Sequence, residues 1–492
     1  MTTLDRPRTR PRTRPRTRPR TRPRSRPRTR PGCRSGTAGL FRAFWRWHAY
    51  AGVLVVPVLV VLSATGLVYL FRFQLEPLLH ADTMRVEQPA GVDFAQDLTS
   101  QLAAADRAHP ELTPVSLAEP REAGLATVVS TVTADGATRD VFVDPWTLEV
   151  TGVLDPDRTV SGYAVRLHGE LMAGRLGDAV VELVACWAIV VALTGYFLLV
   201  KGRAARRRRR PARAAGARLR SMHGRVGAVV GLGLLFLLVS GLPWTGFWGE
   251  RVQAVATDRG SSLWSTDPGA ASDPASSLDE SLPHSHAADL PWALQESEVP
   301  TSDPGAAHSG SVADVDTAVA VADAEGLRHP MTVALPTGEG GVYSVIGYAF
   351  DAPSDERTVH VDRYGGHVVS TYGFDDYPAL AQVVAHGIGL HEGRSLGLWS
   401  FWGAAAMCVA ILVACVTGPV MWWRRRPRGA GTLGAPRGRM PLRRSPLLLV
   451  AVVALAVLLP LFGLSLVVVL ALDQLVLRRV PALAGFFDVS DR

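Results

Sequence analysis

The sequence predicts a polytopic α-helical membrane protein with two extracytoplasmic α+β domains, built by an internal duplication. Three observations support this prediction: five apolar runs, an uneven distribution of charge, and motifs that recur at a fixed offset. Of the 492 residues, 48% are hydrophobic. Each run is long enough to cross a hydrocarbon core, which takes about 20 helical residues. The runs are 49–71, 176–200, 226–247, 398–423 and 447–472.

Charge predicts the orientation of the chain. The net charge is +8, but residues 1–34 hold fourteen Arg and one Asp and so carry +13, which leaves −5 for the rest. Segments 201–220 and 424–444 are basic and contain no acid. By contrast, 72–165 has fifteen acids against six Arg, and 249–385 has twenty-one acids against five Arg. Because short basic loops stay in the cytoplasm, we expect a multi-pass protein of the cytoplasmic membrane with its N-terminus inside and both acidic segments outside.

The predicted organisation alternates membrane spans with segments outside the bilayer. The fifth span would leave the C-terminal tail outside, although Arg478 and Arg479 argue against that side. Pro460 is expected to kink this span, whose run is too short for a hairpin of two spans. The spans are 41–73, 166–201, 221–248, 386–423 and 447–473; the outer domains are 74–165 and 249–385, with a disordered insertion at 258–311; the remaining segments are a disordered Arg/Pro-rich arm at 1–40, basic loops at 202–220 and 424–446, and a tail at 474–492.

The chain repeats itself. His48 and Gly66 in the first span match His223 and Gly241 in the third at one offset. His168 precedes a Thr-Gly pair at 194–195 by the same distance that His391 precedes the Thr-Gly pair at 417–418. The outer segments also echo each other, at 141–144 and 359–362. We interpret the protein as two copies of a unit that consists of a helix, an outer α+β domain and a second helix.

Four histidines occupy equivalent places in this duplication. His48 and His223 are predicted at the inner ends of the first and third spans, and His168 and His391 at the outer ends of the second and fourth. Ionisable groups near membrane depth are costly and usually functional. Neutral imidazole suits Zn, Cu, Fe and Ni, but no Cys or carboxylate accompanies these pairs, which disfavours a structural zinc site. Two histidines on facing helices suit a six-coordinate haem, which favours electron transfer. His386 is an alternative outer ligand.

Four motifs carry a resemblance to a known family: Trp47-His48, Leu167-His168, the segment 390–394 (Leu-His-Glu-Gly-Arg) and the segment 241–246 (Gly-Leu-Pro-Trp-Thr-Gly). With them, residues 41–426 resemble the PepSY-associated transmembrane family, which includes iron-regulated membrane proteins and ferric-siderophore reductases. The resemblance implies PepSY-like outer domains, b-type haem in the membrane, and reduction of iron brought by siderophores. It implies two haems, with iron bound by His48 and His223 at one and by His168 and His391 at the other.

Three functions compete at this stage. The first is a haem-containing oxidoreductase that passes electrons across the membrane to an outer acceptor, a ferric chelate, in iron uptake. The alternative is a membrane-anchored PepSY module that binds and regulates an extracytoplasmic peptidase, and the third is a transporter, which the lack of charge within the spans disfavours. No nucleotide-binding motif is visible, so the donor would be a quinol, a flavin or a protein. Besides the lipid bilayer, no specific nucleic-acid partner is expected.

Overall fold

The fold was analysed in a computed structural model, which describes residues 36–92, 94–207, 217–259, 261–263, 299–302, 312–349, 351–424 and 446–487. Most of the Arg/Pro-rich arm, the insertion at 258–311 and the two basic loops lies outside these residues. Helix α1 already begins at Gly36, so the last residues of the expected arm are helical. Within the described residues, five helical segments are long and apolar enough to cross a membrane, namely Leu40–Leu70, Gly174–Gly202, Arg218–Trp244, Leu398–Trp423 and Pro460–Leu477.

The helices that precede the second and fourth expected spans are separate from them. Helix α5 ends at Glu170, where Leu171 and Met172 adopt positive φ, and α6 then begins at Gly174. Likewise α10 ends at His391, and α11 begins at Leu398. The spans expected at 166–201 and 386–423 are therefore each a short helix followed by a long one. The helices are α1 (Gly36–Leu70), α2 (Arg72–Leu79), α3 (Ala81–Met84), α4 (Leu98–Ala108), α5 (Val160–Glu170), α6 (Gly174–Arg207), α7 (Ala217–Gly241), α8 (Gly246–Thr257), α9 (Val315–Ala324), α10 (Ala379–His391), α11 (Leu398–Trp423), α12 (Pro446–Leu458), α13 (Pro460–Leu472) and α14 (Pro481–Phe486).

The strands of the two outer segments form one antiparallel sheet of eight strands, in the order β4-β3-β2-β1-β5-β6-β7-β8. The sequence predicted two separate domains, but β1 and β5 pair directly, with Leu117 opposite Val333. Three aligned residue pairs make this join between the first and second halves of the sheet. The strands are β1 (Thr113–Ala118), β2 (Thr127–Val132), β3 (Thr138–Val143), β4 (Val150–Leu154), β5 (Thr332–Ala334), β6 (Val342–Ile346), β7 (Arg357–Asp362) and β8 (Val368–Gly373).

Alternating side chains give the sheet two different faces. On one face, buried residues such as Val129, Val141 and Val345 pack against α4 and α9. The opposite face looks towards the helical bundle. In the second half of the sheet, apolar residues such as Val342 and Ile346 on this face pack against Ala381 and Ile388 of α10, beside the buried polar side chain of His360. The sheet thus sits on the bundle through α10, and we call the end of the bundle next to it the sheet end and the opposite end the far end.

The expected fifth span is interrupted at Leu459, whose φ of −119° and ψ of 85° separate α12 from α13. A residue before Pro is biased towards extended backbone, which explains the break. Trp248, at the sheet end, donates to the carbonyl of Leu458 at 3.0 Å, and the carbonyl of Phe487 accepts from Arg46 and Tyr50 near the start of α1. Helix α13 therefore runs from the sheet end back towards the far end, and the C-terminal segment lies beside the start of α1. The sequence had placed this tail on the opposite side.

Candidate functional site

The structure brings the four histidines together as two pairs. The ring centroids of His48 and His223 lie 6.4 Å apart, and those of His168 and His391 lie 6.3 Å apart. The first pair belongs to the far end, where α1 and α7 supply one histidine each. The second belongs to the sheet end, where α5 follows β4 and α10 follows β8. Each pair therefore takes one histidine from each half of the chain.

The spacing within each pair fits two imidazoles bound to opposite sides of one metal ion. A metal–nitrogen bond of about 2.0–2.1 Å on each side, plus the ring radius, places the two centroids roughly 6.3 Å apart. Both observed distances agree with this value. The two rings of a pair are turned by 73° and 84° relative to each other. The two sites thus share a separation and a relative ring orientation.

The Nδ1 atom of each histidine contacts a hydroxyl oxygen on a neighbouring helix. The distances are 3.3 Å from His48 to Thr194, 3.1 Å from His223 to Thr417, 3.1 Å from His168 to Thr65 and 3.1 Å from His391 to Ser240. Each hydroxyl donates its own proton to a carbonyl of the preceding helical turn, so it accepts from the imidazole. The Nδ1–H donor fixes the tautomer and directs the Nε2 lone pair to a metal.

A glycine follows each of these hydroxyl residues, and the imidazole packs against it. A Cβ atom on Gly195 would lie 3.1 Å from Cε1 of His48, and one on Gly241 would lie 3.2 Å from Cε1 of His391. A Cβ on Gly66 would lie 3.5 Å from Cε1 of His168, and one on Gly418 would lie 3.7 Å from Cε1 of His223, which are ordinary van der Waals contacts. A larger residue at the first two positions would push the ring away from its hydroxyl acceptor. A Ser/Thr-Gly dipeptide therefore contacts each of the four histidines, with the hydroxyl as hydrogen-bond acceptor and the glycine as the residue that leaves room for the ring.

The sheet-end pair is tied to the sheet by a buried ion network. Arg394 follows His391 by three residues and donates to Glu392 at 2.6 Å and to Glu356 at 3.2 Å. Its third contact is with the carbonyl of Ala349, at 2.9 Å. Glu356 is fully buried and also accepts from the hydroxyl of Tyr377 at 3.1 Å. These bonds fix the end of α10 against the segment that precedes β7.

Backbone geometry after His391 supports the same attachment. Gly393 has a φ of +78°, a conformation that glycine adopts without strain. A Cβ at this position would lie 2.7 Å from Leu70 at the end of α1. The turn therefore needs glycine both for its dihedral angle and for its close approach to α1.

His386 is not part of either pair. Its side chain is exposed, and its ring lies 5.0 Å from that of Phe374. His391 is the residue of this helix that faces His168. Sequence reasoning noted the repeated Ser/Thr-Gly pairs but missed their role as hydrogen-bond acceptors for the histidines. Their fixed distance from each histidine was the signal that could have revealed it.

The described residues contain no group of three or more His, Cys, Asp or Glu side chains that could hold a metal ion alone. The paired imidazoles supply only two protein ligands per site. A group that brings the remaining ligands itself, as the four nitrogens of a haem do, matches this donor set. The buried hydroxyl acceptors and the absence of carboxylates among the ligands are consistent with such a group.

Comparison with known proteins adds one positive result. No curated protein matches the chain. The model of the PepSY-associated TM region matches residues 45–425, which is more than half of the chain and includes all four paired histidines. The chain therefore belongs to the PepSY-associated transmembrane family.

Proposed function

We propose that the protein is a membrane oxidoreductase that holds two haems b and moves electrons between the two ends of its helical bundle. The electron acceptor is a ferric chelate at the sheet end, as in iron uptake. The observation that supports this proposal is the pairing of the four histidines across the two halves, at the separation that two axial ligands of one iron require. A haem bound at each pair would supply one-electron redox chemistry.

The chain's own residues would prepare both sites for this task. Each hydroxyl acceptor keeps the imidazole proton on Nδ1 and raises the basicity of Nε2. A haem iron held by one histidine from each half would have no open position, so such a site would suit electron transfer rather than oxygen binding. Along α1, His48 and Thr65 are seventeen residues apart, which corresponds to about 25 Å of helical rise. The two sites thus occupy opposite ends of the bundle, as a path across a membrane needs.

The anchored binding module remains the competing function. Such a module needs the sheet and an anchor, but it has no use for four buried imidazoles with matched hydroxyl acceptors. Haem content separates the two functions directly. We expect purified protein to contain about two haems b per chain by the pyridine haemochrome assay, with the absorption spectrum of low-spin, six-coordinate iron.

Single substitutions test the assignment of ligands. His48→Ala, His223→Ala, His168→Ala and His391→Ala should each lower the haem content by about one per chain, because each removes an axial bond. His386→Ala is the matched control and should retain both haems, since His386 lies outside the pairs. Full haem content in all four ligand variants would contradict the proposal and favour the binding module.

A further inference from the structure

The two imidazole rings of each histidine pair are turned to steep angles relative to each other. The ring planes of His48 and His223 differ by 73°, and those of His168 and His391 differ by 84°. The two pairs share no residue, and their four histidines lie on four different helices. Because both pairs nevertheless have nearly perpendicular rings, the orientation must have a local cause that is present at both ends of the bundle.

The Ser/Thr-Gly dipeptides are this local cause. The N–H bond of an imidazole lies in the plane of the ring, so the hydroxyl that accepts from Nδ1 must lie near that plane. The glycine meets the neighbouring ring atom: a Cβ on Gly195 would lie 3.1 Å from Cε1 and 3.5 Å from Nδ1 of His48. The hydroxyl and the glycine of one dipeptide therefore contact the same edge of the ring. A rotation that swings this edge away breaks the hydrogen bond.

The two rings of a pair take their acceptors from different helices. The four hydroxyls lie at Thr194 on α6, Thr417 on α11, Thr65 on α1 and Ser240 on α7. The carbonyl of Val191, 2.9 Å from Nδ1 of His48, belongs to the same helix as Thr194 and directs the ring the same way. Neither ring of a pair can turn parallel to its partner and keep its hydroxyl acceptor. The relative orientation is therefore imposed by the surrounding helices.

Ring orientation matters for the electronic structure of an iron that two imidazoles hold. The π system of each imidazole interacts with one of the two dπ orbitals of the iron, and the plane of the ring selects which one. Parallel rings act on the same orbital and separate the energies of the two, whereas perpendicular rings act on one orbital each and leave the energies nearly equal. Partners that orient an axial ligand are thus a means by which a protein tunes a haem.

We infer that the four Ser/Thr-Gly dipeptides are positioning elements that hold the axial imidazoles of both haems nearly perpendicular to each other. The inference rests on the proposed function, because it concerns how the same sites regulate the electronic state of the iron they bind. It predicts that both haems belong to one spectroscopic class. A dipeptide that only filled space beside a histidine would leave the ring plane unchanged when its hydroxyl is removed.

Low-temperature electron paramagnetic resonance of the oxidised full-length protein tests this inference. Nearly equal dπ energies give a strongly axial low-spin signal with a single low-field feature, whereas parallel rings give a rhombic signal with three resolved features. We expect the axial signal from both haems. Thr65→Val should replace the axial signal of the sheet-end haem by a rhombic one, and Thr65→Ser should retain it. Ser465→Ala is the matched control, because Ser465 accepts from a ring N–H, that of Trp187 at 3.0 Å, outside the pairs.

Two glycine variants test the other half of the dipeptide. Gly241→Ala leaves Ser240 in place but puts a methyl group 3.2 Å from Cε1 of His391, which is closer than an ordinary contact. It should turn the ring and change the signal of the sheet-end haem. In Gly418→Ala the new methyl group lies 3.7 Å from Cε1 of His223, an ordinary contact, and the signal should not change.

The spectrum of the unsubstituted protein decides the orientation even if a variant loses a haem. A rhombic signal from the unsubstituted protein would overturn the inference. An axial signal that stays unchanged in both Thr65→Val and Gly241→Ala would overturn the positioning role of the dipeptides. Haem content measured on the same samples keeps the proposed function separate. A protein without haem contradicts the proposed function, whereas a protein with two haems and rhombic signals contradicts only this inference.

Discussion

The two histidine pairs have the same internal geometry but different supports. At the far end, His48 and His223 lie directly on the long helices α1 and α7. At the sheet end, His168 and His391 lie on the short helices α5 and α10, which connect strands of the sheet to the spans. Arg394 and Glu356 then tie the second pair to the sheet. The position of the far-end pair therefore depends on the bundle alone, whereas the position of the sheet-end pair also depends on the sheet.

Loss of a histidine ligand should produce the largest difference in redox behaviour between the two ends. His168→Ala or His391→Ala should leave the far-end haem reducible by the donor but stop reduction of an external ferric chelate. His48→Ala or His223→Ala should stop electron entry while dithionite still reduces the sheet-end haem. The measurement is haem reduction and ferric reduction in membrane vesicles, with His386→Ala as control. Identical behaviour of variants from the two ends would remove the distinction between them.

The hydroxyl acceptors sharpen the comparison at a smaller scale. Loss of a partner that orients a metal ligand typically costs about 10–100-fold in affinity for the metal group. We expect an effect of this size on haem affinity for Thr65→Val, because Nδ1 of His168 lies 3.1 Å from that hydroxyl. Thr194→Val should cost less, since Nδ1 of His48 is closer to the carbonyl of Val191, at 2.9 Å, than to Thr194. Haem transfer to apomyoglobin measures both, and the reverse order would contradict these contacts.

The ion network predicts that stability at the sheet end depends on pH. Burial raises the pKa of Glu356 from 4.5 to about 7, and the charge of Arg394 opposes this rise only in part. Because the folded pKa lies above the unfolded one, protonation favours the folded state. The stabilisation that this shift gives the folded state is fully present below about pH 4.5 and is lost as the pH rises through 7. For a shift of this size, its loss lowers the free energy of unfolding by about 3 kcal/mol.

Glu356→Gln should remove this dependence, since the amide does not titrate. When the pH is raised from 5 to 8, the unfolding temperature of the original protein should decrease by more than that of the Gln variant. Hydrogen exchange of α10 should show the same difference, while exchange of α7 at the far end should not. Equal pH slopes for both proteins would contradict the assigned pKa.

The smallest effect concerns the C-terminal segment at the far end. Tyr50→Phe removes one of two hydrogen bonds to the carbonyl of Phe487, each worth about 0.5–1.5 kcal/mol. Haem content and ferric reduction should be unchanged.

An epitope tag at the C-terminus should be labelled from the same side of the membrane as one at the N-terminus. Labelling from opposite sides would contradict the direction of α13, which runs from the sheet end back towards the far end.

The sequence was sufficient for the features that periodicity and repetition encode. Apolar length predicted helices in all five runs, and the common offset predicted which histidines correspond between the halves. The outer segments that were expected to be α+β contain the helices α4 and α9 as well as strands. Whether the halves arose by duplication, and whether the pairs hold haem, remain predictions that the fold is consistent with.

Other features depend on partners that lie far away in the chain. An alternating pattern can indicate a strand but does not say which strand it pairs with, and Leu117 of β1 and Val333 of β5, which lie opposite each other, are 216 residues apart. Pro460 indicated a kink, but the reversal of the chain depends on contacts such as the one from Trp248 to Leu458.

The join between β1 and β5 has a consequence for motion. A transporter that alternates its access rocks one half of the molecule against the other around a fixed site. Here such rocking would have to slide Ser116, Leu117 and Ala118 along their partners in β5, and a slip of one residue would turn every side chain to the wrong face. The continuous sheet restrains motion of one half relative to the other, so we expect the distance between the imidazoles of each pair to stay constant during electron transfer.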